Sequence, residues 1–261
     1  MRLAGLRASV RMAMNGVESM GQIQMRLWGL PLHMMNQLTT IGTIATQIRN
    51  NNRIVVMAGD EGSAMATMFD GTINTAWADM SGAPDVPFNI TGFAGLAELL
   101  RPVPVSSYKG AAPVQDIMAN LADIMGLSFE NNGVNLRLSC PYLTGTALTQ
   151  VRAVARAAGI NYAIDKGTLA IWPRNGTRKG EIPVMSPKTG MVGYPAYTGT
   201  GISVSSIYTP SAKLGGKVRV ESTLTPANGE WVIVRIQHEL DCLIPGGQWF
   251  TNLECVRTQP A

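Results

Sequence analysis

Charged side chains are scarce in this sequence. Only 15% of its 261 residues are Asp, Glu, Lys or Arg, against roughly 25% in an ordinary soluble domain. A surface so poor in charge favours burial against partners over life as a free monomer. The net charge of +4 is mildly basic, but the basic residues are scattered and form no run, which argues against a nucleic-acid site built from a basic patch. Histidine occurs twice, at His33 and His238. Catalysis by a Ser-His or Cys-His pair needs one of them beside a nucleophile and an orienting acid. Glu239 and Asp241 lie near His238 in sequence, but on a strand both point to the opposite face. Cysteine is almost as rare. Cys140, Cys242 and Cys255 are odd in number, widely spaced and without a C-x-x-C unit, so they read as buried reduced thiols rather than a disulfide frame, redox pair or zinc site.

Long apolar runs are also missing. No stretch approaches the ~18 uncharged apolar residues of a membrane span, and the arginines in "MRLAGLRASVRMAMNG" interrupt any secretory apolar region. Paired carboxylates do not announce a cleft. Asp60 and Glu61 are neighbours in a turn, and Asp70 and Asp79 fall at strand or turn positions. The glycines do not form a phosphate loop, because "GTGI" at 199–202 lacks the further glycine and the helix of a dinucleotide site. Asp116, after "GAAPVQ", complements an ordinary helix start. Fifteen methionines, among them Met12, Met14 and Met25, read as flexible core filler. Arg152 and Arg156, four apart, read as a solvated helix face, and Trp77, Trp172, Trp231 and Trp249 as packing residues of strands. No catalytic, cofactor-binding or metal-ligating residue is assigned, no cofactor or small-molecule substrate is implied, and the chain reads as no enzyme.

What is abundant is strand pattern. "LRASVRMAM" and "GQIQMRLWG" alternate with a period of two around the turn signal Asn15-Gly16. "HMMNQL" suits a short helix. Strands follow at "RIVVMAG", "TMFDGTINTAWADM" and "DVPFNITGF", so residues 1–101 form an antiparallel β domain. After the proline-punctuated "RPVPVSSY" the period changes. Val114, Ile117, Met118, Leu121 and Ile124 share one helical face stopped by Gly126; Leu148, Val151, Val154, Ala155 and Ala158 share another stopped by Gly159. A hairpin turning at Asp165-Lys166-Gly167 completes an α+β module over 102–176. "PRNGTRKGEIP" reads as a polar, basic connector. Residues 177–261 return to strands, the middle one alternating Trp231/Ile233/Arg235 with Val232/Val234/Ile236. The two β parts share a plan of strand, strand, proline turn and strand; duplication of one fold and two unrelated meanders both remain open.

The ordered segments "FDGTINTAWADMSGAPDV", "ANLADIMGLSFENNGVNLRLSCPYLTG", "ARAAGINYAIDKGTLAIWP", "SPKTGMVGYPAYTGTGISVSSIYTPSAKLGGKVRVES" and "GEWVIVRIQHELDCLIPGGQWFTNLECVR" resemble the baseplate hub proteins of contractile-tailed bacteriophages, relatives of late control proteins and of the hub part of type VI secretion spikes. The resemblance implies an α+β, mostly β fold with two tube-like antiparallel β-barrel domains around the α+β module. It implies a homotrimer whose six similar domains form a pseudo-sixfold ring, with tail tube proteins above, a central spike below and other baseplate proteins around. The protein would be assembled in host cytoplasm and reside in the virion, with DNA passing through its lumen without specific binding. On this reading "TGMVGYPAYTGTGI" lies at a barrel corner or a subunit contact, and lumen-facing residues are neutral or acidic. The alternatives are the hub of a phage-like secretion or injection machine, a nucleic-acid-binding β-barrel protein, and a cell-wall or carbohydrate hydrolase carried by the tail, which would need two carboxylates converging in a cleft.

Overall fold

The computed structural model describes residues 2–16, 19–40, 52–60, 62 and 64–257. The first part holds β1 (Ala8–Asn15), β2 (Gln22–Leu27), α1 (Leu32–Leu38), β3 (Arg53–Ala58), β4 (Ala66–Ala78), β5 (Phe88–Phe93) and α2 (Leu96–Leu100). Strand alternation sorts the side chains as expected. Val10, Met12 and Met14 of β1 and Phe88 and Ile90 of β5 enter the core, while Arg11 stays in solvent.

The module begins with β6 (Ser106–Ser107) and β7 (Ala111–Pro113), then α3 (Val114–Met125), β8 (Ser128–Asn131), β9 (Arg137–Ser139) and β10 (Tyr142–Leu143). It closes with α4 (Ala147–Ala158), β11 (Ile160–Asp165) and β12 (Thr168–Pro173). Both helices end where glycine adopts a left-handed conformation, Gly126 at φ 70° and Gly159 at φ 63°. The expected apolar faces are buried, except that Ile124 is 38% exposed and Ala158 is half-buried. The hairpin turns at Lys166 and Gly167, both at positive φ, the geometry of a tight two-residue loop matched to strand twist.

The last part holds β13 (Val184–Met185), β14 (Met191–Tyr197), β15 (Gly201–Ile207), β16 (Lys217–Val220), β17 (Gly229–Cys242) and β18 (Trp249–Val256). Its sheet order, β14-β15-β18-β17-β16, repeats the order β1-β2-β5-β4-β3 of the first part, strand for strand in chain sequence. The registers agree as well. Met12↔Ile23 matches Tyr197↔Ile202, Ile23↔Gly92 matches Ile202↔Cys255, and Arg53↔Thr72 matches Lys217↔Val232. The fourth strand of each unit is bulged at the same place against its fifth, between Ile73 and Thr75 in one and between Ile233 and Arg235 in the other. Two unrelated meanders do not share order, register and bulge. The chain contains one five-stranded fold twice.

The two units are fused rather than separate. β1 runs antiparallel to β17 over eight residue pairs, from Ala8↔Cys242 to Asn15↔Arg235, which joins everything into one eleven-stranded sheet. Among the described residues neither unit closes on itself into a ring of paired strands. This corrects the expectation of two closed barrels: the sheet is large, antiparallel but for β13 beside β16, and open. The physical reason is that the edge of β1 that could close the first unit is already paired with the second.

Candidate functional site

The side chains capable of chemistry are dispersed into structural roles. His33 is exposed on α1. His238 is buried on β17, with its Nδ1 2.9 Å from the Thr251 hydroxyl and its ring edge-on to Tyr208 at 5.2 Å. Burial, and secondarily the charge of Lys166, push the His238 pKa down to about 3, so its ring is neutral at physiological pH. Glu239 and Asp241 lie on the other face of β17, half-buried, as alternation requires. Asp60 accepts a hydrogen bond from the Trp249 indole at 3.2 Å, Asp70 pairs with Arg53 at 2.8 Å, and Asp79 caps a short turn by accepting from the Ser81 amide. Glu61 lies outside the described residues. Arg152 donates to the Tyr162 hydroxyl at 3.3 Å. Among the described residues no cluster of His, Cys, Asp and Glu could hold a metal ion, and no helix is long and apolar enough to cross a membrane. The cysteine reading is corrected in two of three cases. Only Cys255 is buried, its pKa pushed up to about 12 by burial and the neighbouring Glu254, whereas Cys140 and Cys242 are exposed.

The connector "PRNGTRKGEIP" is not a loose linker. Arg178 is 5% exposed and sits between two carboxylates, Glu130 Oε2 at 3.0 Å and Asp165 Oδ2 at 3.3 Å, beside the face of Trp172. Burial works against the Glu130 carboxylate, but hydrogen bonds from Arg178 and Asn132 outweigh it and hold its pKa below the ordinary value. The Arg178 amide donates to Gly215 O at 2.7 Å, and Gly215 donates to Ile233 O on β17 at 2.8 Å. A Cβ on Gly215 would stand 2.5 Å from the Trp172 ring, and φ there is 75°. This joint fastens the α+β module to the second unit, and a groove of about 200 Å³ lined by Trp172, Arg174, Val234 and Arg257 runs beside it. Sequence reasoning missed the joint because an arginine in a polar loop looks the same whether its partners are water or distant carboxylates.

Two surfaces remain open. The first is the face of the continuous sheet opposite the core. Following the registers across it, one row reads Thr75, Thr91, Gln24, Arg11, Glu239, Phe250, Ile207 and the next reads Phe93, Gln22, Ala13, Gln237, Asn252, Ser205. All of these are partly or fully exposed. Charges in the middle of this face stand in pairs, Arg11 opposite Glu239, Arg235 donating to Glu254 at 2.7 Å, and Arg26 and Asp241 flanking Ser9, while on β16 Lys217 and Arg219 share the carboxylate of Glu230. Amides and hydroxyls make up most of the remainder. The second is the edge strand β14. Its pairing with β15 breaks between Val192 and Ala196, which pushes out Gly193, Tyr194 and Pro195. Proline without an amide and a bulge are both devices of sheet edges. Tyr194 is 69% and Tyr197 59% exposed, so the segment expected at a corner or contact is a bulged, aromatic edge.

A family model described as Baseplate hub gp41 matches residues 4–243. A sequence search of the curated proteins gave no significant match. The tail protein from Neisseria meningitidis MC58 has a similar fold, with TM-score 0.63 at 9% identity over 97% of this chain and 96% of that one. The 43 kDa tail protein of prophage MuSo2 from Shewanella oneidensis gives TM-score 0.58 at 10% identity, covering 97% and 93%. The E. coli c3393 protein, described as a component of the type VI secretion system with structural similarity to the T4 tail proteins gp27 and gp5, gives 0.63 at 10% identity, covering 99% and 76%.

Proposed function

Because this chain belongs to the baseplate hub gp41 family of phage tail proteins, we propose that it works as a structural ring: three copies contribute six similar units around an axis and join a tail tube to a central spike. The observation that carries this reading is the internal repeat. Two units with one strand order, one register and one bulge position lie side by side in a single sheet. Three such chains give a sixfold face toward a tube while keeping threefold symmetry toward a spike. On this reading residues 1–101 and 177–261 are the two tube-like units, curling toward barrels in the ring, and 102–176 is the module braced against them. The polar, charge-paired sheet face lines the bore. DNA sliding past its central rows meets basic side chains already paired with carboxylates, so little counterion release holds it there.

The similarity of fold to the type VI component supports a second use of the same device, as the hub of a phage-like injection machine; the genes beside this one separate the two. The ring itself is tested by the mass of the purified protein in solution, alone and with neighbouring tail proteins. A species of three times 27.9 kDa is expected. A chain that stays monomeric in both settings overturns the proposal.

A further inference from the structure

Where β17 changes partner, the surface of the second unit is hollowed. β16 pairs with β17 as far as Val232 and β1 begins at Arg235. The bulge leaves Val234 between them with no partner residue on β18. The turn after β12 lines the same hollow. It is fixed by the Gly176 amide donating to Pro173 O at 2.9 Å and by Asn161 donating to Arg174 O at 3.2 Å. The result is the groove of about 200 Å³ beside the Arg178 joint. Its apolar part is built on Val232 and Val256, half-buried cross-strand partners, together with Val234.

The charges of this groove are of one sign. Arg174 comes from the module and Arg257 follows β18; both are exposed, and no carboxylate lines the groove. The surrounding acids are committed elsewhere. Glu130 and Asp165 hold Arg178, Glu254 accepts from Arg235, and Glu230 is shared by Lys217 and Arg219. Among the described residues neither Arg174 nor Arg257 has a carboxylate partner. Arg257 is nonetheless held in place, 5.1 Å over the Trp231 ring and donating to Pro226 O at 3.0 Å. Its other N–H groups remain for a ligand, and little side-chain freedom is lost on binding.

We infer that this groove binds an extended acidic peptide, with an aliphatic side chain on the three valines and the neighbouring carboxylates on Arg174 and Arg257. The arginine fork matches a carboxylate with two parallel hydrogen bonds, and the valines reward an apolar side chain beside it. Size decides between ligands. Small-molecule pockets run to ~300–1,000 Å³, whereas a cavity of ~150 Å³ takes a benzene-sized group. This groove therefore fits side chains of a passing strand rather than a nucleotide. The first unit has no counterpart. By the registers that align the repeats, Val232, Val256 and Arg257 correspond to Thr72, Phe93 and Ala94, and Ala94 is buried. The site occurs once per chain and is complete in a single chain, independent of the ring.

The test uses the purified full chain and a short fluorescein-labelled peptide of alternating Leu and Glu, followed by anisotropy at low salt. Saturable binding is expected, lost when Gln replaces Glu in the peptide and weakened when Ser replaces Leu. Arg174→Gln with Arg257→Gln should weaken binding roughly tenfold or more, the size of one or two lost charge-assisted hydrogen bonds. Arg101→Gln with Lys188→Gln, the same change in net charge at other exposed positions, should leave binding unchanged. Equal weakening by both pairs, no weakening by the first, or no binding up to about 1 mM peptide overturns the site. A photo-cross-linking form of the peptide reads the position without any variant. Adducts at 174–176 or 256–257 are expected, and adducts only elsewhere refute the assignment. Thymidine oligonucleotides that displace the probe better than unlabelled peptide does would make this a phosphate site and overturn the peptide reading.

Discussion

At the residue scale, two buried polar groups govern stability where the sequence suggested bystanders. His238 has its pKa lowered to about 3, against about 6.5 in an unfolded chain. Between these values the unfolded chain binds the extra proton, so acidification drains stability as pH falls from ~6.5 toward ~3, by up to about 1.4 kcal/mol per unit. His238→Gln, which can still meet Thr251, should flatten that dependence in urea titrations between pH 7 and pH 4; an unchanged slope would assign acid lability elsewhere. Arg178 is the counterpart for charge. Arg178→Met removes the cation between Glu130 and Asp165, leaving Asp165, 5% exposed, without its ion partner. A loss of about 3–5 kcal/mol is expected, read as a lower urea midpoint. A loss within 0.5 kcal/mol would mean water already serves the pair. Nothing at either position in the sequence announces these roles, because burial is a property of the surroundings.

At the scale of elements, helices, turns and hairpin partners were legible, and pairing between distant strands was not. The stops at Gly126 and Gly159 and the turn at Lys166-Gly167 depend on local backbone sterics, which neighbouring residues reveal. The alternation of β17 seemed continuous through Trp231, Ile233 and Arg235. In the fold the bulge at Val234 resets it, so Trp231 and Ile233 are buried before it and Ile236, His238 and Leu240 after it. The same bulge falls where the strand's other edge changes partner from β16 to β1. Deleting Val234 should therefore turn one half of β17 inside out, since a one-residue slip exchanges the two faces. The expected result is protein that fails to fold or is recovered only as aggregate, judged by solubility and amide protection. A soluble variant with native spectra would show that the bulge is incidental.

At the scale of the whole molecule, the repeat makes shape the working property. Charge pairing in the middle of the polar sheet face predicts that the wild-type protein leaves DNA unretained in low-salt filter binding. Glu239→Lys with Glu254→Lys makes the middle of that face net positive and should bring in retention that weakens steeply with salt. Retention by the wild type would instead favour a nucleic-acid-binding role for the same face.

By itself the sequence determined the succession of β part, α+β module and β part, the helix ends and the hairpin at Lys166, because hydrophobic period and glycine sterics act over a few residues. It also carried enough ordered resemblance to point to a tail hub. Only the tertiary structure decided that the two β parts are one fold repeated, that β1 and β17 fuse them into a single open sheet, and that Arg178 and His238 lie in the interior. The fusion depends on pairing between residues more than two hundred positions apart and the burial of Arg178 on a carboxylate 48 positions away, and no local pattern records which distant edge or side chain a segment will meet.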